Sequence, residues 1–214
     1  MSRLFDCRDE AGRARGIAAA VGAVHRGDLV VLPTDTVYGL GADAFSPDAV
    51  RRLLALKGRG RDLPVPVLIG SWRTVNGLVD ELPPAASDLI AAFWPGALTL
   101  VLVAGTGLTW DLGDTKGTFA VRMPLHPVAL ELLAETGPLA VSSANRSGSP
   151  PAESAAAAQD DLGDGVAVYL EGGVAPEQAP SSIVDLTGAD PRLLREGAVS
   201  RADIEDVLGV GLAG

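Results

Sequence analysis

Apolar residues in this chain come in short parcels, each cut off within about six positions by proline, glycine or a polar cluster. Such parcels, rich in Val and Leu, predict strands at residues 29–32, 66–69, 98–103, 118–121, 139–141, 166–170, 182–186 and 192–194. Longer stretches between them show helical spacing. Ile17, Val21 and Val24 predict a helix over 10–26 closed by Gly27. Ser46, Pro47 and Asp48 supply a cap, a first-turn proline and a first-turn acid, so a second helix runs to 56 and delivers Lys57 and Arg59 at an exposed end. Further helices are predicted over 73–79, 85–93, 128–135, 153–161 and 201–207. The two kinds of element mix without a strict strand–helix–strand rhythm. The expected fold class is therefore α/β (α+β), a twisted mixed β-sheet flanked by helices.

The 214 residues suit one domain, expected over 1–208, with 209–214 a frayed tail. A net charge of −10 argues against a surface that grips nucleic acid over its whole extent, while leaving room for a local basic cleft. No apolar run approaches the roughly 18 residues of a membrane helix, and the polar start lacks the apolar core of a signal peptide. A cytoplasmic protein with no membrane partner is expected. Cys7 is the single cysteine, so no intramolecular disulfide forms, and it is read as a surface or packing residue rather than a catalytic thiol. With only His25 and His126 beside it, no protein-held metal is expected.

The familiar phosphate loop, the dinucleotide-binding glycine fingerprint and the nucleophile elbow do not occur. Four other stretches carry chemistry. Thr34-Asp35-Thr36-Val37-Tyr38-Gly39-Leu40-Gly41 follows a strand with two hydroxyls, a carboxylate and glycines, and reads equally as a ligand loop or as a turn whose threonines satisfy their own backbone. Lys57-Gly58-Arg59-Gly60-Arg61 concentrates three cations in an acidic chain that has two lysines in all. Glycines between cations let them converge on a triphosphate, whereas the bland alternative is a helix end stabilised by its dipole. On an alternating strand Thr118, Ala120 and Arg122 share one face, which makes Arg122 either a carboxylate partner or a surface ion-pair residue. Ser142-Ser143-Ala144-Asn145-Arg146-Ser147-Gly148 suits a phosphate or ribose, and also reads as an ordinary turn. A catalytic triad of Ser142 or Ser143 with His126 is the weakest of these readings.

Seven stretches in order, PTDTVYGLGADA, LKGRGRD, FWPGALTLVL, FAVRMPLHP, VSSANRSG, PSSIVDLT and LLREGAVS, make residues 27–200 resemble the YrdC-like family of threonylcarbamoyl-AMP synthases. The resemblance implies a mixed sheet around a deep basic cleft. It implies that Thr34 or Thr36, Arg122 and Ser142 surround L-threonine, and that Lys57, Arg59, Thr118, Ser143, Ala144, Asn145, Ser182 and Arg195 face the nucleotide, with Lys57 and Arg59 as the catalytic cations. Gly60, Leu63 and Leu68 depart from the residues many relatives carry there, and the chain resembles the short form without an extra C-terminal domain.

The implied reaction joins L-threonine, bicarbonate and ATP into threonylcarbamoyl-AMP and pyrophosphate, for N6-threonylcarbamoyladenosine at position 37 of tRNAs. Magnesium is expected to arrive with ATP. The product would pass to a separate tRNA-modifying transferase complex, and the chain itself would bind tRNA weakly if at all. Two rivals follow from the same resemblance: a carbamoyl-transfer domain of the hydrogenase-maturation type, which normally sits in a longer chain with zinc fingers, and an RNA-binding module without synthase activity.

Overall fold

The computed structural model describes residues 2–174 and 179–213. The first half runs β1 (Arg3–Asp6), α1 (Glu10–His25), β2 (Val30–Leu32), β3 (Gly39–Asp43), α2 (Pro47–Lys57), β4 (Val67–Leu68), a 3-10 helix (Trp72–Gly77) and α3 (Pro84–Phe93). The second half runs β5 (Leu98–Val103), β6 (Thr118–Arg122), α4 (Pro127–Thr136), β7 (Leu139–Ser143), α5 (Ala155–Leu162), β8 (Val168–Glu171), β9 (Ser182–Asp185), β10 (Arg192–Arg195) and α6 (Arg201–Leu208). The strands form one sheet in the order β1-β8-β2-β3-β7-β4-β6-β5-β9-β10. Pairing is parallel for β1/β8, β2/β8, β4/β6 and β5/β9 and antiparallel for the rest, so the sheet is mixed as expected.

Period-two alternation explains why helices cover both faces. Along the second strand Val30 and Leu32 enter one apolar core while Leu29 and Val31 enter the other. The first core takes the apolar sides of α1 and α4 through Ile17, Ala20, Val24, Val128 and Leu132. The second takes α2, α3, α5 and α6 through Leu53, Leu89, Ala158 and Ile204. The start of α2 behaves as read, and its end adds a glycine cap. Ser46 Oγ accepts from Ala49 N at 3.3 Å, and Gly58 closes α2 in the left-handed region at φ 67°.

Two strands escape the sequence reading. The first, β1, is a four-residue edge strand with arginine and aspartate at its ends, too short and too charged to stand out. The other, β3, reads as loop in the sequence because Gly39 and Gly41 flank Leu40. In the sheet Leu40 is buried in one core, and a Cβ on Gly39 would come within 2.5 Å of Val141 Cγ1. The stretch 73–79 expected to be α-helical is the 3-10 helix Trp72–Gly77, stopped before a full α-turn develops. Cys7 is buried between β1 and α1, and its thiol is pushed up to about 11, first by burial and then by Asp6.

The expected frayed tail is pinned over its described part, while Gly214 lies outside the described residues. Leu193 N donates to Ala213 O at 3.0 Å, Ala213 N to Pro191 O at 3.1 Å, and the Leu212 side chain is buried. Deleting residues 209–214 is therefore expected to lower unfolding free energy by about 1–3 kcal/mol, from one buried leucine and its hydrogen bonds. Urea denaturation checks this, and an unchanged midpoint would restore the frayed tail.

Candidate active site

Past Leu32 the chain leaves β2 and turns back into β3 through residues 33–38, a turn held by side chains. Thr34 Oγ1 donates to Val37 O at 2.6 Å and accepts from the backbone N–H of Thr36 and of Val37, both at 3.2 Å. Thr34 Oγ1 also lies 3.1 Å from Thr36 Oγ1, a contact in which either hydroxyl can be the donor. Thr36 Oγ1 in turn accepts from Arg122 Nη1 at 2.8 Å. Asp35 pairs with Arg122 Nη2 and also accepts from Leu125 N at 3.0 Å. The turn is thus ordered around Arg122, with Asp35 4% and Arg122 5% exposed.

Arg122 ends β6, opposite Leu68 of β4. Leu100 pairs with Val121, which puts Thr99 opposite Arg122 on the other side, so Leu68, Arg122 and Thr99 form one row on one sheet face. Over this row lies a cavity of about 390 Å³ whose walls include Thr34, Thr36, Arg59, Arg122, Ser142 and Arg195. Burial lowers the basicity of the Arg122 guanidinium, the adjacent Asp35 opposes this, and Arg195 adds like-charge repulsion. Arg122 Nε is buried with no hydrogen-bond partner among the described residues. A buried guanidinium N–H left unpaired costs about 1–3 kcal/mol, a deficit that an anionic ligand removes. Arg59 spends one N–H on Ser142 Oγ at 3.3 Å. Arg195 grips Ser181 O with Nε and Nη2 at 2.9 and 2.7 Å, and Ser181 Oγ meets Thr99 Oγ1 at 2.8 Å.

Lys57 departs from the exposed clamp that the sequence suggests. Its ammonium is buried and bound by Ser143 O at 2.6 Å, Asn145 O at 2.7 Å, Ser143 Oγ at 3.1 Å and Asn145 Oδ1 at 3.2 Å. Three N–H donors facing four acceptors are saturated, so Lys57 organises the segment after β7 rather than reaching into the cavity. Asn145 extends that order by donating to Arg146 O and Ser149 O at 2.9 and 2.6 Å.

Of the residues expected at the site, Thr34, Thr36, Arg59, Arg122, Ser142, Ser143 and Arg195 line the cavity, whereas Lys57, Thr118, Ala144, Asn145 and Ser182 do not. The Thr118 hydroxyl donates to Thr115 O at 2.8 Å, and the Ser182 hydroxyl to Val199 O. The triad reading has no geometry behind it. His126 Nδ1 accepts from Val128 N at the start of α4, while the Ser142 and Ser143 hydroxyls meet Arg59 and Lys57. Thr99 and Ser181 also line the cavity without a role in the sequence reading, in which Tyr38 and the partner carboxylate Asp35 stand only as members of the candidate ligand loop. Strand alternation from Arg122 through the β5/β6 pair is the signal that identifies Thr99. Among the described residues no group of three His, Cys, Asp or Glu side chains could hold a metal.

Burial lowers the Lys57 ammonium from 10.5 to about 8, with Arg59 adding to the fall and Asp161 opposing it. The folded value lies below the unfolded one, so the unfolded chain holds the extra proton through this window. The Lys57 contribution to stability is therefore least below pH 8 and grows as pH rises from 8 to 10.5. Lys57→Met is expected to lose about 1–3 kcal/mol by stranding the carbonyls of Ser143 and Asn145. The stability difference from wild type should widen across that pH window in denaturant titrations. A surface cation would show neither effect.

The Sua5/YciO/YrdC family model, whose description reads "Telomere recombination", matches residues 22–197. A Mycobacterium tuberculosis protein provisionally named threonylcarbamoyl-AMP synthase is 61% identical over 213 residues, covering 100% of this chain and 98% of its own. Pyrococcus abyssi threonylcarbamoyl-AMP synthase is 39% identical over 194 residues, covering 90% of this chain and 57% of its own greater length. The crystal structure of P. abyssi Sua5 complexed with L-threonine superposes with a TM-score of 0.92 at 36% identity, covering 100% of this chain and 63% of that one. Shared fold, full-length relatives and the family match agree that the chain belongs to the Sua5/YciO/YrdC family.

Proposed function

We propose that this chain is an L-threonylcarbamoyladenylate synthase, a nucleotidyltransferase that makes threonylcarbamoyl-AMP and pyrophosphate from L-threonine, bicarbonate and ATP. The observation that carries the reading is the buried Arg122, which lines the cavity, is paired with Asp35 and keeps its buried Nε without a hydrogen-bond partner among the described residues. A guanidinium so placed suits the carboxylate of an amino acid, and a relative's structure holds L-threonine. Thr34 Oγ1 is filled by the turn, so Thr36 is the threonine-side hydroxyl that keeps an acceptor position. Ser142 closes the same pocket, and Arg59, Arg195 and Ser143 meet the nucleotide.

The threonine amine takes up bicarbonate with loss of water to give a carbamate. A carbamate oxygen then attacks the α-phosphorus of ATP, and pyrophosphate leaves with the electron pair of the broken bond. The carbamate hydrolyses readily in water, so the cavity must shield it. Catalysis comes from positioning and from cations facing the charge that grows on pyrophosphate, with Arg59 directly placed and Lys57 acting through the segment it holds. Magnesium enters bound to ATP, as substrate. The product goes to a separate tRNA-modifying transferase complex in the cytoplasm.

Two outcomes test the reading. Pyrophosphate release should require both threonine and bicarbonate, and equal release without bicarbonate would indicate ordinary amino-acid adenylation. Arg122→Lys keeps a cation beside Asp35 but loses the fork, so threonine KM should rise about tenfold or more while ATP KM changes less than about threefold.

A further inference from the structure

We infer that Tyr38 and Glu171 are positioning residues for the threonine-side pocket, fixing the turn that pairs with Arg122; this rests on the synthase reading above. Neither residue belongs to the polar set assigned to substrates. Tyr38 is fully buried where the turn enters β3 and is one of the residues lining the cavity. Its hydroxyl lies 2.6 Å from Glu171 Oε1 and 2.7 Å from Gly173 O, either of which can take its single proton, and it accepts from Gly172 N at 3.1 Å. Burial and the Glu171 contact push the phenol up, which keeps it a donor at neutral pH.

Glu171 is held in turn by neighbours on both sides. Its Oε1 accepts from Gly173 N at 2.8 Å and its Oε2 from Ala155 N, the first residue of α5, at 2.9 Å. The other end of the turn meets the same corner. A Cβ on Gly172 would come within 2.6 Å of Pro33 Cγ and 2.8 Å of His126 Cε1, so backbone and proline are in direct contact there. The turn is thereby stapled to the end of β8 at Pro33 and at Tyr38. Between the staples lie Asp35 and Thr36, the two residues that hold Arg122.

Loosening the Tyr38 staple frees Asp35 and Thr36 to shift and misaims the guanidinium. The cost should fall on threonine affinity, because Arg59 and Arg195 are fixed by Ser142 and Ser181 instead. A purely structural role would lower the folded fraction, reducing kcat and the melting temperature with KM unchanged.

The experiment measures steady-state pyrophosphate release and melting temperature for the full chain and for Tyr38→Phe, Glu171→Ala, the double variant and Gly172→Ala. Each single change should raise threonine KM about fivefold or more and leave ATP KM within about twofold. Because Tyr38 and Glu171 belong to one hydrogen-bond network, the double variant should cost less than the product of its two single effects. Unchanged threonine KM in Tyr38→Phe, or multiplying effects in the double variant, overturns the inference; should Glu171→Ala fail to fold, Tyr38→Phe and Gly172→Ala decide it. An inactive wild type sinks the synthase reading instead. Calorimetric titration with L-threonine then settles the positioning role, which needs about fivefold weaker binding in Tyr38→Phe and fails if the affinities match.

Discussion

A guanidinium and a carboxylate removed together from water form the interaction on which the site depends. Arg122 and Asp35 are almost fully buried, and taking either charge out of water alone would cost several kcal/mol. Their pairing offsets much of this and demands that the turn at residues 33–38 hold one shape. The hydroxyl chain from Arg122 through Thr36 to Thr34 and on to Val37 O is the means. Such pairs contribute little net stability, since apolar replacements of equal volume often do as well. What this one supplies is a fixed cation at the wall of a cavity of about 390 Å³, with its Nε lacking a partner among the described residues.

The remaining architecture serves that placement. The mixed pairing of β4, β6 and β5 puts Arg122 between Leu68 and Thr99, and Gly39 on β3 keeps its side of the face clear where a methyl would strike Val141. A second cation, Lys57, is buried for a different purpose. Its saturated ammonium ties the end of β7, which carries Ser142 and Ser143, to the segment that follows, and next to this wall Arg59 remains able to meet an anion. Two neighbouring cations of one short motif thus divide between building the site and lining it.

Much of this was legible from residue order. Short apolar parcels gave the mixed sheet, and Ser46-Pro47-Asp48 gave the start of α2 closely. Arg122 was readable as a strand-end cation, but its burial was not, because one sequence does not show that Asp35 folds across to meet it. The same limit applies to Lys57. A helix-end lysine among glycines looks exposed until the carbonyls of Ser143 and Asn145, more than eighty residues away in the chain, close on it. Long-range partners of this kind leave no periodic trace. β3 is hidden for a local reason, since glycines weaken strand propensity and Gly39 is here required by the close approach of β7.

The claim that the buried Arg122 receives a substrate carboxylate is tested most directly by comparing L-threonine with L-threoninamide in calorimetric titrations of the wild-type chain. The amide keeps the hydroxyl and the amine but has no negative charge for the Arg122 guanidinium. The account expects threoninamide to bind at least about tenfold more weakly, the loss of a charge-assisted hydrogen bond. Equal affinities would contradict it and leave Arg122 as a structural charge alone.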